Sequence, residues 1–492
     1  MARPIMIQGT TSNAGKSLIC AALCRILRQD GYRCAPFKSQ NMALNSYVTQ
    51  DGLEMGRAQV LQARAAGLEP DVRMNPILLK PTSDVGSQVI VNGVSRGNLR
   101  AKEYFSRKKE LIPDILAAYH GLAAENDVIV IEGAGSPAEI NLKENDIVNM
   151  GLAALVDAPV LLVGDIDPGG VFASLYGTAA LLEPEERARI RGFIINKFRG
   201  DVTILEPGLR QMEQLTGIPV VGVVPWLPLD LDDEDSLSQR LTRREAGGAV
   251  DVAVIRLPRI SNFTDFNPLE RMGEVSLRYV RSPAELGAPD LVILPGTKST
   301  LSDLDWLKQS GLADKLLAHA RAGGAVLGIC GGYQMLGRQI SDPKGVEGGG
   351  SAPGLGLLAA ESVLTGEKTR RRVRGRVLRA GGVFAPLAGT SFAGYELHMG
   401  RTEVTGPAFA ALNGAEEDGT FAGNVFGTYV HGLFDRGEFA AALVNCLLAA
   451  KGLPQTARAG DWSAVQEREL DRLAEAVRRS IDMNLIHELV NL

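Results

Sequence analysis

Short runs of consecutive apolar residues recur along this chain, separated by longer segments that have helical periodicity. The first half has such runs at residues 5–7, 128–131, 160–163, 192–195 and 220–223, and the second half has them at 252–255, 291–294 and 325–327. Strands that are apolar on both faces are typical of parallel sheets covered by helices on each side. The pattern therefore predicts an α/β fold made of two doubly wound domains.

The length of the chain and one polar stretch indicate where the domains divide. A chain of 492 residues exceeds what one core serves well. The apolar pattern stops at residues 229–249, which are rich in acidic and then basic side chains. We predict a first domain over residues 1–228, a linker over 229–249, a second domain over 250–450, and a helical segment over 451–492 that packs on the second domain.

Composition argues against nucleic-acid and membrane partners. The formal net charge is -5 and the pI is near 5.8, so the chain has no bulk basic character. Its 5 cysteines show no metal-ligand or disulfide spacing, which is typical of a reducing compartment. No apolar run approaches the length of a membrane span. We predict a cytoplasmic protein and leave open whether it forms a homo-oligomer.

The first apolar run leads into a glycine loop, and a segment with helical spacing follows. The loop reads Gly9-Thr10-Thr11-Ser12-Asn13-Ala14-Gly15-Lys16-Ser17, with one residue more between its glycines than the strict phosphate-loop pattern. Backbone N–H groups of such loops bind phosphate, the lysine reaches the outer phosphates, and the hydroxyl can ligate Mg²⁺. The predicted nucleotide contacts in this loop are Gly9, Thr10, Thr11, Asn13, Ala14, Gly15, Lys16 and Ser17.

Polar side chains follow several of the predicted strands of the first domain. Lys38 comes after the second strand, Glu132 after the run at 128–131, and Asn196 after the run at 192–195. The carboxyl ends of parallel strands meet at one edge of a sheet, where ligands bind. These positions together predict a nucleotide and metal site.

A single cysteine lies in a glycine cluster at the end of a strand in the second domain. The segment Gly328-Ile329-Cys330-Gly331-Gly332 follows a short apolar run. A helix that starts at such a turn would favour the thiolate, which is the reactive form of cysteine. Free cysteines are, however, often inert core residues. The stretch alone supports catalysis and packing about equally, although His431 also stands at a strand end.

The segment at 328–334 fits the pattern GxCxGxQ, and it resembles the nucleophile motif of class I glutamine amidotransferases. The resemblance implies that Cys330 attacks the amide of L-glutamine and that His431 acts as the base. It also implies an oxyanion hole formed by backbone N–H groups at Gly331 and near Gly296. The implied fold of this domain is flavodoxin-like.

One position departs from that family. The family usually has a glutamate two residues after the histidine, where this chain has Leu433. A third member of the catalytic group is then absent or comes from elsewhere. Glu396 and Asp435 are the two candidates in the sequence.

Longer segments resemble the branch of amidotransferases that are fused to a dethiobiotin-synthetase-like ATP domain. This branch includes the cobyric acid and cobyrinic acid a,c-diamide synthases of corrinoid biosynthesis. The segments similar to the former family are PFKSQNM (36–42), NSYVT (45–49), SPAEINL (136–142), NKFRGD (196–201), RISNFTDF (259–266) and GYELHMGR (394–401). Pro168 and Asn267 depart from the family, which tends to have arginine and aspartate there.

This resemblance implies a ligase that uses ATP and Mg²⁺. The implied reaction is amidation of the b, d, e and g carboxylates of adenosylcobyrinic acid a,c-diamide to give adenosylcobyric acid. Each carboxylate would be activated as an acyl phosphate and then attacked by ammonia. The implied roles are charge neutralisation for Lys16 and Lys38, Mg²⁺ binding for Ser17, Glu132 and Asp51, and base recognition for Asn196.

Three other interpretations stay open at this point. The chain could be a cobyrinic acid a,c-diamide synthase, or it could amidate another carboxylate such as the glutamate of lipid-linked peptidoglycan. A partition-type ATPase that acts as a binding module is the alternative from a different class. Such ATPases have a lysine five residues before the loop lysine, where this chain has Thr11.

Overall fold

The computed structural model describes residues 2–83, 86–232 and 247–492. The strands of the first domain are β1 (Arg3–Gly9), β2 (Cys34–Phe37), β3 (Gln40–Met42), β4 (Ser46–Val48), β5 (Glu54–Gly56), β6 (Ile77–Ser83), β7 (Gly86–Val91), β8 (Val94–Arg100), β9 (Val128–Glu132), β10 (Val160–Asp165), β11 (Ile190–Phe198) and β12 (Val220–Pro225). Its helices are α1 (Lys16–Gln29), α2 (Arg57–Ala66), α3 (Ala101–Arg107), α4 (Ile112–Glu125), α5 (Met150–Leu155), α6 (Val171–Leu181), α7 (Pro184–Arg187) and α8 (Glu206–Thr216).

The first domain is organised around a parallel sheet in the strand order β12-β11-β10-β1-β9-β2. Successive residues of each strand point to opposite faces, so Ile5 and Ile7 join the core on the α1 side while Met6 joins the core on the α4 and α6 side. Both faces are covered by helices. The prediction of a doubly wound parallel sheet is confirmed for this domain.

A smaller layer lies between β2 and β9 in the sequence, and its strand pairs are antiparallel except for β3 and β6, which are parallel. It consists of a sheet in the order β3-β6-β7-β8 and a hairpin of β4 and β5. Val48 of this hairpin packs with Tyr395 and Leu397 of the second domain. The insertion therefore brings the first domain into contact with the second.

The strands of the second domain are β13 (Val250–Ile255), β14 (Val275–Val280), β15 (Leu291–Leu294), β16 (Ala325–Ile329), β17 (Gln339–Asp342), β18 (Gly350–Pro353), β19 (Ala360–Val377), β20 (Ser391–Val404), β21 (Ala408–Leu412), β22 (Glu416–Ala422), β23 (Val425–Thr428) and β24 (Val430–His431). The remaining helices are α9 (Asn267–Glu270), α10 (Pro283–Leu286), α11 (Thr300–Gln309), α12 (Leu312–Arg321), α13 (Gly331–Leu336), α14 (Glu438–Ala450), α15 (Trp462–Ser480) and α16 (Met483–Leu489). Strands β14, β13, β15, β16 and β23 are parallel neighbours, and β22, β21 and β19 continue the sheet in antiparallel pairs.

The C-terminal helices correct one expectation. Leu470, Leu473 and Val477 of α15 are buried in the core between α1 and the first sheet, together with residues of α16. The two helices therefore pack on the first domain, and the prediction that the segment packs on the second is wrong for them. It holds for the residues up to the start of α15, because Ala457 belongs to the core of the second domain and Trp462 stacks under Arg271. Helical spacing shows that one face is apolar but not which surface receives that face. No helix in the described ranges is both long and apolar enough to cross a membrane.

The start of the predicted linker is held by ion pairs and hydrogen bonds. Asp230 pairs with Arg271, and Asp232 lies 3.6 Å from Arg57 and accepts a hydrogen bond of 2.8 Å from Asn267. These contacts tie the end of the first domain to the second domain. The remainder of the predicted linker up to residue 246 lies outside the described residues.

Candidate active site

Cys330 stands at the sharp turn between β16 and α13. Its backbone has φ 53° and ψ -109°, a conformation that side chains rarely adopt and that is typical of functional turns. Gly332 allows this turn, because a Cβ atom there would lie 1.9 Å from the carbonyl oxygen of Leu294. The thiol is buried, with Sγ 3.7 Å from the carbonyl oxygen of Leu397.

His431 lies in the same pocket as Cys330 and is held by a carboxylate. Its Nδ1 is 2.6 Å from Oδ2 of Asp265, whose other oxygen accepts a hydrogen bond of 3.0 Å from the Gly432 backbone N–H. Burial opposes the charged imidazolium, but Asp265 and Cys330 outweigh it and raise the pKa of His431 to about 10. The arrangement favours a histidine that carries its proton beside the sulfur.

The third member of this group is neither of the residues that the sequence indicated. Glu396 pairs with Arg371 and lies 3.5 Å from His398. Asp435 is half-buried near Arg57, and desolvation raises its pKa to about 6. Asp265 is the carboxylate that contacts His431, so the expectation of Glu396 or Asp435 is wrong.

A signal for Asp265 was present in the sequence. It belongs to the polar segment 259–266, which follows β13 as other polar segments follow their strands. Strand-end position alone places it on the same edge of the second sheet as Cys330. The sequence does not single it out as the partner of His431, because the two residues are 166 positions apart along the chain.

The two predicted oxyanion positions lie beside the reacting residues. A Cβ atom on Gly296 would come within 2.8 Å of Cε1 of His431, and one on Gly331 would lie 3.2 Å from the backbone nitrogen of Thr297. The turn between them is fixed because the Thr297 hydroxyl donates to the buried Asp303 carboxylate. Donation to an oxyanion by Gly296 and Gly331 stays a prediction.

The polar shell around His431 continues into the first domain. The Tyr395 ring stacks on His431 with centroids 5.6 Å apart. Its hydroxyl accepts a hydrogen bond of 2.7 Å from Asn262, lies 3.5 Å from the Arg57 guanidinium, and donates to the carbonyl of Ser46 at 3.3 Å. The position of the histidine is therefore linked to residues of the nucleotide-loop domain.

A buried cluster of charges forms the wall of the pocket between the domains. Lys80 of the first domain and Lys368 of the second line the same pocket as Cys330. Both ammonium groups bind the Glu54 carboxylate, Lys80 at 2.9 Å. Burial opposes ionisation of Glu54, but the two lysines hold its pKa well below its usual range. The first domain thus completes a pocket that is lined by Cys330 of the second domain.

A second polar centre lies at the carboxyl edge of the first sheet. Ser17 Oγ and Lys38 Nζ each lie 2.8 Å from Oε1 of Glu132. Lys16 donates to the carbonyls of Thr11 at 2.8 Å and Gly135 at 3.2 Å. The structure therefore brings together the loop lysine, the loop serine and the two strand-end residues that the sequence predicted.

The oxygen ligands at this centre fit a small hard cation. Ser17 Oγ and Glu132 Oε1 are adjacent, and Mg²⁺ is typically bound by one or two protein oxygens plus water and phosphate. Gln59 and Gln62 of α2 hold the other carboxylate oxygen, Oε2. In the described part of the chain, no group of three or more His, Cys, Asp or Glu side chains forms a self-sufficient metal site. A cation here would depend on the nucleotide for further ligands.

Asp51 does not join this centre. It is exposed in the turn between β4 and β5, and a Cβ atom on its neighbour Gly52 would lie 3.1 Å from the carbonyl oxygen of Arg370. The hairpin thus points its turn at the second domain. These contacts do not support metal binding by Asp51, which stays a prediction.

Asn196 is fastened beneath the glycine loop. Its amide donates to the carbonyl of Ala14 at 2.9 Å, and a Cβ atom on Gly15 would lie 2.0 Å from its Nδ2 atom. The neighbouring Lys197 donates to the carbonyl of Asn13 at 2.7 Å. These contacts support the shape of the loop, while recognition of a base by Asn196 stays a prediction.

The fold and the two centres define a nucleotide-binding domain joined to a glutamine amidotransferase domain. The family model described as CobQ/CobB/MinD/ParA nucleotide binding domain matches residues 5–236, and the one described as CobB/CobQ-like glutamine amidotransferase domain matches residues 251–439. The chain belongs to the cobyric acid synthase family.

Curated relatives match along the full length of the chain. The cobyric acid synthase of Ruminiclostridium cellulolyticum is 55% identical over 500 residues, covering 100% of this chain and 97% of the relative. That of Lachnoclostridium phytofermentans is 53% identical, covering 100% and 99%. That of Photorhabdus laumondii is 52% identical, covering 99% and 98%. The resemblance stated from the motifs is confirmed, and the partition-type ATPase interpretation does not account for the second domain.

Proposed function

We propose that this protein amidates the b, d, e and g carboxylates of adenosylcobyrinic acid a,c-diamide with ammonia from glutamine, in an ATP-dependent reaction that gives adenosylcobyric acid. Full-length similarity to cobyric acid synthases supports this substrate. The observation that carries the proposal is the Cys330, His431 and Asp265 group, which lies in a pocket partly walled by the nucleotide-binding domain. We expect the protein to act in the reducing environment of the cytoplasm.

Glutamine hydrolysis begins at the sulfur. The Cys330 thiolate attacks the side-chain amide carbon, and the backbone N–H groups of Gly331 and Gly296 would receive the oxyanion. The imidazolium of His431, oriented by Asp265, gives its proton to the leaving ammonia. Water then hydrolyses the glutamyl thioester, with His431 as base, and releases glutamate and the thiolate.

Amide formation takes place at the first domain. A substrate carboxylate attacks the γ-phosphorus of ATP and ADP leaves, which converts a poor electrophile into an acyl phosphate. Lys16 and Lys38 would balance the charge on the transferring phosphoryl group. Ser17 and Glu132 would hold Mg²⁺, which would neutralise phosphate oxygens when it is bound. Ammonia then attacks the acyl carbon, and phosphate leaves.

A continuous set of polar side chains connects the two centres. It runs from Asn262 and Tyr395 beside His431 through Arg57 of α2. The same helix carries Gln59 and Gln62, which contact Glu132. Because α2 is largely buried and has contacts at both centres, we infer that ammonia would pass along it from one centre to the other without exposure to bulk water.

The substrate is tested by incubating the protein with ATP, glutamine and each corrinoid in turn and counting added nitrogens by mass spectrometry. The a,c-diamide should gain four amides. Two amides added to cobyrinic acid, with none added to the diamide, would instead indicate a cobyrinic acid a,c-diamide synthase. Cys330→Ala should lose amidation with glutamine and keep it with ammonium, and loss of both in a folded protein would contradict a separable glutaminase.

A further inference from the structure

Two charged side chains in the Cys330 pocket have no part in the chemistry described above. Lys298 follows the turn that contains Gly296, and Glu347 comes from the loop between β17 and β18. Both line the pocket that contains Cys330. They are of opposite charge and belong to different loops.

Neither charge is fully matched by the protein. Among the described residues, the Lys298 ammonium has no hydrogen-bond or ion-pair partner, and the two side chains do not form an ion pair with each other. Glu347 accepts a hydrogen bond from the backbone N–H of Thr300 through Oε2. Within the described ranges, no lysine or arginine forms an ion pair with the Glu347 carboxylate. A ligand with one positive and one negative group would complement both.

The energetics agree with this geometry. Burial lowers the pKa of Lys298, although Glu347 partly opposes the shift. Burial also raises the pKa of Glu347 to about 7. Each group is thus desolvated without full compensation, and such groups gain the most from a charged hydrogen-bonding ligand.

The loop that carries Glu347 is held in place by one buried carboxylate. Asp342 accepts backbone hydrogen bonds from Val346 at 2.8 Å, Glu347 at 2.7 Å and Gly349 at 2.9 Å. Asp342 itself is only 1% exposed. The position of Glu347 is therefore set before any ligand binds, which reduces the entropy lost on binding.

We propose that Lys298 and Glu347 bind the α-amino-acid head of glutamine, with the Lys298 ammonium on the α-carboxylate and the Glu347 carboxylate on the α-ammonium. The side chain of the bound amino acid would extend from this head to Cys330. This assignment rests on the glutaminase activity proposed above. The two side chains would make the Cys330 pocket selective for a free amino acid.

The test combines each variant with a glutamine analogue that lacks the group that the replaced side chain would bind. The variants are Lys298→Met and Glu347→Gln, and the ligands are glutamine, 4-aminobutanamide without the carboxylate, and glutaramate without the amine. Lys298→Met should raise the KM for glutamine about 10- to 100-fold with a smaller change in kcat, because it removes a hydrogen bond between charged groups. It should leave the KM for 4-aminobutanamide near the parent value.

Glu347→Gln should likewise raise the KM for glutamine, and it should leave the KM for glutaramate near the parent value. Where an analogue is not hydrolysed, its inhibition constant against glutamine gives the comparison. Lys344→Met, an exposed lysine of the same loop, is the matched control. An equal loss for glutamine and for the analogue that lacks the partner group, or an unchanged KM for glutamine, would overturn the assignment.

Ammonium-dependent amidation separates this proposal from the one on which it rests. Both variants should amidate the corrinoid at the parent rate when ammonium replaces glutamine, since Lys298 and Glu347 lie at the glutaminase pocket. Absence of amidation by the unmodified protein with both glutamine and ammonium would instead refute the proposed ligase function. Failure of the glutamine-head assignment would leave that activity intact.

Discussion

The surroundings of His431 favour its positively charged form although the ring is buried. The Asp265 carboxylate lies 2.6 Å from one ring nitrogen, and Tyr395 covers one ring face. These contacts fix which nitrogen faces the carboxylate and leave the other for the sulfur and the leaving group. Asp265 is therefore a positioning residue, which acts on the reaction through the histidine.

Replacement of Asp265 by asparagine should lower glutamine turnover about 100-fold or more, because the histidine loses both its orientation and the charge that stabilises its protonated form. The pKa of His431, raised to about 10 in the parent, should fall. The alkaline limb of the kcat/KM profile for glutamine should then move to lower pH. Steady-state glutaminase assays between pH 6 and 10.5 measure both effects.

Asp435→Asn is the matched control for that experiment. Asp435 also lies near Arg57 and Asp265, but no hydrogen bond joins it to His431 among the described residues. The control should keep the parent pH profile, and both variants should keep ammonium-dependent amidation. A profile that shifts in Asp435→Asn and not in Asp265→Asn would contradict the role given to Asp265.

The proposed site residues differ in how far they could be predicted from sequence. Cys330 and His431 each lie in a short motif at the end of a strand, so local pattern identifies them. Asp265 is 166 residues from His431 along the chain, and their contact depends on how β13 and β24 are placed in one sheet. Lys298 and Glu347 also meet only through tertiary structure.

Among the secondary-structure elements, α15 has the most consequence for stability. Arg25 of α1 pairs with Glu467 and Asp471 of α15, each at 2.8 Å. After the helix, Ile481 bridges to Gly222 of β12, where a Cβ atom would lie 2.1 Å from the carbonyl oxygen of Ser480. The C-terminal helices thus form part of the first domain, and α15 packs both on the nucleotide-loop helix α1 and on β12.

Leu473→Ala should destabilise the first domain by about 2–5 kcal/mol, because it leaves a cavity at a side chain that is only 2% exposed. Amide hydrogen exchange followed by mass spectrometry should show faster exchange in α1 and β12, with β16 unchanged. Leu492→Ala, at a residue 40% exposed, is the control and should have little effect. Faster exchange confined to the second sheet would contradict this packing.

Element type was more predictable than element placement. Apolar runs identified the strands of both sheets because each strand is buried on two faces. The hairpin of β4 and β5 gave no such signal, since its strands are three residues long and it is stabilised by contacts with the other domain. The C-terminal helices were predicted on the wrong domain because an apolar helix face can pack on the core of either domain.

At the scale of the whole molecule, the two domains share a buried ionic cluster. Glu54 contributes the only carboxylate that contacts Lys80 and Lys368 among the described residues. Burial and the neighbouring lysines lower the pKa of Lys368 to about 7, although Glu54 opposes the shift. The lysines that join the two domains through Glu54 therefore also line the pocket that contains Cys330.

Glu54→Gln should uncouple the two reactions, because it leaves two buried ammonium groups without their carboxylate at a cost of about 3–5 kcal/mol. Glutamate release should then exceed amide formation when ATP, glutamine and corrinoid are all present. Both products are counted in one reaction by mass spectrometry. Glu367→Gln, whose side chain is 85% exposed, is the control and should keep the parent ratio. If a folded Glu54→Gln protein kept the parent ratio of glutamate released to amide formed, this coupling would be refuted.

The shared wall also limits how such proteins can be recombined. A chimaera that joins this nucleotide-binding domain to a foreign amidotransferase domain would keep Glu54 and Lys80 but lose Lys368, Asn262 and Tyr395. The unit of exchange is thus the second domain together with the hairpin of β4 and β5 and strand β6. Crossover points placed outside that unit should preserve function in domain-shuffling libraries, whereas a cut between the two family-matched regions should not.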